Sequence, residues 1–162
     1  MEEEGEAATF SLDSRIEQRA RELEAQQTER FAIPGYEGVV DVELRALGYK
    51  SISAIQHHNA RIRIEADREL YNMADVLLRA TVGFFDVTGN NGGRAIPDDW
   101  VALAKRRQDC PDAPTPRQAL LFFVGEQRIH FLAEDYTVWA KEARTDIDDE
   151  VQADFVRTGS PT

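Results

Sequence analysis

A sustained helical period over residues 53–85 is the strongest constraint on the fold. Apolar side chains recur there at spacings of three, four and seven residues, and no proline or glycine interrupts them before Gly83. Such spacings place side chains on one face of an α-helix. We predict one long central helix, roughly 50 Å long unless it breaks near His57–Asn59. The stripe consists of Ile55, Ile62, Ala66, Leu70, Met73, Leu77, Ala80 and Phe84, and further apolar residues (Val76, Leu78, Val82 and Phe85) predict a more deeply buried second half.

The segment before this helix has a period of two instead. Val40, Val42 and Leu44 alternate with charged residues, and the turn-forming stretch Pro34–Gly38 precedes them. Proline presets one turn dihedral and glycine tolerates positive φ, so residues 30–46 are predicted to form a small β-hairpin. A lone hairpin is rarely stable in water, so it must pack on the helices or on another chain, and we place it on the central helix. The predicted fold class is therefore mainly α, a helical domain with one N-terminal β-hairpin.

Further helices are predicted on both sides of this core. Ser14 and Glu17 form a capping-box pattern for a polar helix that ends near Arg30. Beyond the glycine-rich loop at 89–93, Pro97, Asp98 and Asp99 are predicted to open a short helix, and Thr115-Pro116 has the N-cap and N1 pattern of another. The chain is divided into a partly mobile N-terminal helix (1–30), one domain (31–157) and a disordered tail (158–162). Three more features are a helix end or kink at Gly125, a helix that includes Trp139, and a last helix capped by Thr145 with Ile147, Val151 and Phe155 on one face.

The charge distribution argues against two classes of partner. The formal net charge is −11, with the acids concentrated in residues 1–30 and 126–162. Nucleic acid and anionic membrane are disfavoured because like charges repel at close approach. Cys110 is the only cysteine, the N-terminus is acidic, and the longest apolar run, Ala119–Val124, is too short to span a bilayer. We expect a soluble, cytoplasmic protein.

The residues with catalytic or ligand chemistry form no recognised constellation. His57 and His58 are adjacent, so on a helix they point about 100° apart and rarely share one metal ion. His130 and Glu134 lack the second histidine of the zinc-protease pattern. The acidic run Asp146–Glu150 lacks the glycine of a calcium loop, the Gly89–Gly93 loop lacks the lysine of a phosphate loop, and Cys110 has no patterned histidine. The expectation is a protein without enzyme activity, cofactor or metal.

An aromatic cluster near the C-terminus supports two interpretations. Phe122, Phe123, Tyr136 and Trp139 have helical spacing, which is typical of ordinary core packing. The functional alternative is a groove for an amphipathic helix of a partner. Its predicted apolar lining consists of Phe123, Leu132, Tyr136 and Trp139.

Three stretches carry a family resemblance. They are Phe31–Gly38 with the strand that follows, Ala74–Gly83, and Thr115–Phe123 followed by the Trp139 helix and the acidic segment to Phe155. In this order they resemble the tail assembly chaperones of long-tailed phages that infect actinobacteria. The polar helix before residue 30 has no match in that resemblance.

The resemblance implies a function in virion assembly. Such a chaperone coats the long helical tape measure protein in the host cytoplasm, keeps it soluble and helps to recruit tail-tube subunits. We also allow for a homo-oligomer of this chain among the expected assemblies. The alternatives are a structural head–tail connector or minor tail protein, which would remain in the finished particle, and an acidic inhibitor of a host defence nuclease. An inhibitor that imitates DNA requires regularly spaced carboxylates, whereas the acids here are concentrated at the two ends.

Overall fold

A four-stranded antiparallel sheet and the helices packed against it make up the fold. The computed structural model describes residues 11–89 and 91–143. The strands lie in the order β1-β2-β3-β4. In chain order the elements are α1 (Leu12–Gln26), β1 (Thr28–Ala32), β2 (Val40–Arg45), α2 (Tyr49–Asn59), α3 (Glu65–Ala80), β3 (Thr81–Asp86), β4 (Arg94–Ile96), α4 (Trp100–Lys105), α5 (Pro116–Val124) and α6 (129–143).

The sheet shows that the predicted fold class, mainly α with one hairpin, is wrong. The hairpin predicted near residues 30–46 is present as β1 and β2, but β2 also pairs with β3, and β3 with β4. The fold therefore mixes α and β structure. The error lies in residues 81–85, which the sequence predicts as the end of the central helix, and in the short strand β4, which follows the glycine-rich loop.

The chemistry of Thr81 explains why the helix ends before β3. Its hydroxyl donates a hydrogen bond to the carbonyl of Leu77 at 2.6 Å, and it accepts one from the Trp100 indole at 2.9 Å. The carbonyl groups of a last helical turn have no partner within the helix, so the first bond satisfies one of them. Thr81 and Val82 are also β-branched, which favours a strand. Phe84 lies four residues after Ala80, which is also the spacing of apolar residues on one face of a helix. For this reason the sequence predicts a helix here.

The predicted central helix is two helices. α2 ends at Asn59, at the place where the sequence left a break open, and α3 begins at Glu65. Asn59 is only 2% exposed although its side chain is polar. The connection between the two helices reverses the chain enough for α2 and α3 to pack on each other.

The core lies between one face of the sheet and helices α3 to α6. Val42 is paired with Phe31 on one side and with Phe84 on the other, so these side chains share a face. The Phe84 ring meets the edge of Trp100, with centroids 4.8 Å apart. The most completely buried large side chains are Phe84, Ile33, Leu44, Leu47, Leu77, Leu120, Ile129, Leu132, Val42 and Val124.

Capping contacts in the structure confirm several predicted helix ends. The Thr115 hydroxyl accepts from the Gln118 amide, and the Gln118 side chain accepts from the Thr115 amide, so α5 begins with a full capping box. Gly125, with φ of 95°, ends the same helix in a conformation that suits glycine. Asp99 caps α4 by accepting from Ala102. The predicted helix after Thr145 and the tail at 158–162 lie outside the described residues.

The N-terminal helix begins earlier than its predicted capping box. α1 covers Leu12–Gln26, and the hydroxyl of Ser11 accepts a hydrogen bond from the Ser14 amide. The cap is therefore one turn before the predicted pair of Ser14 and Glu17. The chain then enters β1 at Thr28, inside the segment that had been predicted as helix to Arg30.

A β-bulge in β3 gives a test of the corrected fold. Glu43 is paired with Gly83 and Leu44 with Thr81, so Val82 is an extra residue and is 52% exposed. We expect Val82→Ala to change the free energy of unfolding by less than about 0.5 kcal/mol. Phe84→Ala should cost about 3–5 kcal/mol, since it removes a buried ring. Urea denaturation measures the free energy of unfolding of both variants. A large loss of stability in Val82→Ala would support the predicted central helix, in which Val82 is buried.

Candidate functional site

An apolar groove lies between α2, α3 and α6. Its volume is about 410 Å³. Leu77 and Tyr136 form the buried floor, and the Tyr49 side chain is 64% exposed at the edge. We call it the three-helix groove. It is lined by Tyr49, Ile52, Ser53 and Gln56 of α2, by Asn72, Met73, Val76 and Leu77 of α3, and by Ala133, Tyr136, Thr137 and Ala140 of α6.

Small side chains on α6 leave room in this groove. Ala133 and Ala140 are two turns apart on the face of α6 that lines it. Between them, the Thr137 hydroxyl donates to the Ala133 carbonyl at 2.7 Å. That bond occupies the hydroxyl proton, so Thr137 does not need an acceptor from a bound molecule. The α6 wall is therefore shallow and well suited to apolar contacts.

The Tyr136 hydroxyl anchors α6 to the sheet. It accepts a hydrogen bond from the Leu47 amide at 3.0 Å and donates one to the Arg45 carbonyl at 2.9 Å. Both partners lie at the junction between β2 and α2, so one side chain holds α6 against two elements. The ring of Tyr136 is 2% exposed. Its position fixes the distance between the α6 wall and the α2 wall of the groove.

A polar network holds α2 and α3, the other two walls of the groove, in place. The Asn59 amide donates to Asn72 and to Asp75, both at 2.9 Å. Arg117 of α5 makes a two-pronged contact with Asp75, at 2.9 and 2.7 Å. Hydrogen bonds to the Asp75 carboxylate raise the pKa of the Arg117 guanidinium. The network joins the end of α2 to α3 and α5, and one of its members, Asn72, also lines the groove.

The four residues predicted to line a partner groove are not brought together as an open surface. Phe123 and Leu132 are 4% and 1% exposed and belong to the core, so the core-packing alternative describes them. Phe123 stacks on Tyr36, with centroids 4.2 Å apart. Trp139 is half-buried and meets the edge of Phe31 at 5.7 Å. Of the four, Tyr136 alone lines the three-helix groove, as part of its floor.

Sequence reasoning missed the groove because its residues resemble core residues. Ile52, Met73 and Val76 are partly buried apolar side chains packed against the core, and nothing in their spacing shows that one side remains open. The available signal was the width of the apolar arc on α3. Val76 and Leu78 extend it beyond the single stripe of Met73 and Leu77, which indicates contacts on more than one side.

The histidines and the cysteine are placed on the surface or at its edge. His57, His58 and His130 are exposed, as is Glu134. Cys110 is half-buried, and its thiol donates to the Pro111 carbonyl. Within the described ranges there is no group of three or more histidine, cysteine, aspartate and glutamate side chains able to hold a metal. The acidic run Asp146–Glu150 lies outside those ranges.

A second pocket, of about 360 Å³, lies beside the β3–β4 edge. Arginines line part of it, but carboxylates balance them. Arg106 forms a two-pronged pair with Asp98 at 2.6 and 2.9 Å, and Arg107 forms one with Asp109 at 3.0 and 2.7 Å. The bond from Arg106 lowers the pKa of Asp98. The remaining charged lining residues, Asp86 and Arg94, form a third pair at 3.7 Å.

Two further findings bear on function. Among the helices of residues 11–89 and 91–143, none has the length and apolar character needed to cross a membrane. In comparisons with known proteins, no family model, no curated protein and no solved structure matches the chain.

The network around Asp75 gives a stability prediction. Asp75→Ala removes the carboxylate acceptor of the Arg117 guanidinium and one of the two acceptors of the Asn59 amide, and the Asp75 side chain is 18% exposed. We expect a loss of about 2–3 kcal/mol in the free energy of unfolding. The matched control is Asp109→Ala, which breaks an equally short pair at a side chain that is 63% exposed, and should cost less than about 1 kcal/mol. Urea denaturation measures the free energy of unfolding of both variants. Equal losses would contradict the claim that Asp75 contributes more to stability than an exposed ion pair does.

Proposed function

We propose that this protein is a tail assembly chaperone of a long-tailed phage, which binds helical segments of the tape measure protein in the three-helix groove. The observation that carries the proposal is the groove itself, an apolar channel walled by three helices and unfilled by the described chain. A groove of this kind suits the apolar face of an amphipathic helix, with anchors three or four residues apart. The resemblance of Phe31–Gly38, Ala74–Gly83 and Thr115–Phe123 to such chaperones supports the identity of the partner.

The lining favours a helix over a charged or strongly polar ligand. Ile52, Met73 and Val76 supply apolar contacts, and the polar lining side chains are uncharged hydroxyls and amides. One of these amides, Asn72, already accepts a hydrogen bond from Asn59. A charged group would lose hydration in this groove without a countercharge to replace it. The lining therefore selects for large apolar side chains from the partner.

The expected affinity suits a chaperone that must leave its client. Burying one large apolar side chain contributes about 1.5–3 kcal/mol. Two or three anchors in a groove of about 410 Å³ would be offset in large part by the loss of translational and rotational freedom, about 4–15 kcal/mol. One groove then binds weakly and reversibly. Several copies along one long tape measure helix would shield it without locking it, and tail-tube subunits would displace them in the host cytoplasm.

A bulky residue at the edge of the groove tests the proposal. Ser53 is exposed and lines the groove, so Ser53→Trp fills it without altering the core. The tape measure protein of the same phage is coexpressed with each variant, and the soluble fraction is measured. We expect Ser53→Trp to reduce soluble tape measure protein at least tenfold. The matched control, Ala54→Trp, changes the next exposed residue of α2, which points away from the groove, and should behave as wild type.

Circular dichroism of both variants excludes unfolding as the cause. A folded Ser53→Trp protein that keeps the tape measure protein soluble would contradict binding in the groove. If the wild-type protein itself has no effect on tape measure solubility, the chaperone assignment fails whatever the groove binds.

A further inference from the structure

The outward side of α6 carries two large apolar side chains that the fold leaves uncovered. Phe131 is 63% exposed and Val138 is 61% exposed. They are seven residues apart, so they lie within about 20° of each other around the helix and about 10 Å apart along it. Single exposed apolar residues are common on protein surfaces. Phe131 and Val138, however, have the seven-residue spacing of a coiled-coil heptad. They therefore form a short apolar stripe on which another helix can pack.

Acidic side chains frame this stripe. Glu134 and Asp135 lie between the two apolar residues, and Glu142 lies one turn beyond Val138; all three are exposed. Within the part of the chain that the structure describes, none of these three carboxylates is in an ion pair. Among residues 129–143, which make up the described α6, Lys141 is the one lysine or arginine, so the three carboxylates outnumber the lysine and arginine side chains of this helix. We call the surface of Phe131, Glu134, Asp135, Val138 and Glu142 the outer face of α6.

We propose that the outer face of α6 binds a basic amphipathic helix of a second protein. The apolar stripe of that helix packs on Phe131 and Val138, and its lysine or arginine side chains pair with Glu134, Asp135 and Glu142. Charge complementarity of this kind gives specificity and speeds association. The net charge of −11 attracts the same partner at longer range.

A second copy of this chain fits the outer face poorly. Antiparallel packing of two α6 helices would set Phe131 against Val138 of the other copy. It would also bring Glu134 and Asp135 of both copies together at the centre, where four carboxylates repel one another. The stripe therefore favours a partner of opposite charge over self-association.

This surface is separate from the three-helix groove. The groove is lined by Ala133, Thr137 and Ala140, whereas Phe131 and Val138 point away from the buried residues Leu132 and Tyr136. The inference does not depend on the proposed function. It adds a second binding surface, so that α6 contributes to two interactions at once.

Two synthetic helical peptides of equal length and identical leucine pattern test the proposal. One has lysine at its polar positions and the other has glutamate, and both are labelled for fluorescence anisotropy. We expect the lysine peptide to bind at least tenfold more tightly than the glutamate peptide. The double variant Phe131→Ser/Val138→Ser should lose at least tenfold in affinity for the lysine peptide, whereas Val82→Ser, which alters an exposed apolar residue of β3, should lose none.

A second pair of variants separates local from overall charge. Glu134→Gln/Asp135→Asn should weaken binding at least threefold and reduce its salt dependence. Asp67→Asn/Glu69→Gln removes the same charge from exposed positions of α3 and should change affinity by less than a factor of two. Equal losses in the two double variants would show that net charge alone attracts the peptide, and would overturn the proposal. Equal binding of the two peptides, or full binding by a folded Phe131→Ser/Val138→Ser protein, would also overturn it.

Discussion

The carboxylate of Asp75 links helices α2, α3 and α5 by hydrogen bonds. It accepts from Asn59 at the end of α2, it belongs to α3, and it holds Arg117 of α5 by two hydrogen bonds. Charged hydrogen bonds in a half-buried position contribute about 1.5–3 kcal/mol each before solvent screening. Domains of this size are stable by only about 5–15 kcal/mol, so this network is a substantial contribution to the stability of the fold. Asn72 belongs both to this network and to the lining of the three-helix groove, so the network borders the groove.

Helix α6 connects the fold to both proposed surfaces. Its buried side packs into the core through Leu132 and Tyr136, and the Tyr136 hydroxyl holds it to the β2–α2 junction. A second side, with Ala133 and Ala140, forms a wall of the groove. The opposite side presents Phe131 to solvent. One rigid helix thus supports a neutral apolar site and an acidic apolar site, and partners of different chemistry would not compete for them.

Local signals predicted both ends of α5, whereas the ends of α1 and of the predicted central helix differ from the prediction. Thr115 and Gly125 each act through their own side chain or backbone, so their effects can be read from neighbouring residues. The spacing from Ala80 to Phe84 fits a helix and a strand start equally, and only contact with β2 and Trp100 decides between them. For the site, helical spacing placed Tyr136 among four predicted lining residues, but it cannot show which apolar sides are covered by the rest of the chain. The open side of Met73 and Val76 depends on where α6 lies.

Methyl NMR of methionine tests the central claim, that the three-helix groove binds a helical partner. The chain contains two methionines, Met1 and Met73, and Met73 lines the groove. Selective ¹³C-methyl labelling therefore gives a direct reporter of occupancy. Titration with a helical peptide from the tape measure protein should move the Met73 signal to a plateau that matches the affinity from calorimetry, whereas the lysine peptide proposed for the outer face of α6 should leave it in place. A tape measure peptide that binds by calorimetry while the Met73 signal stays unmoved would contradict the account.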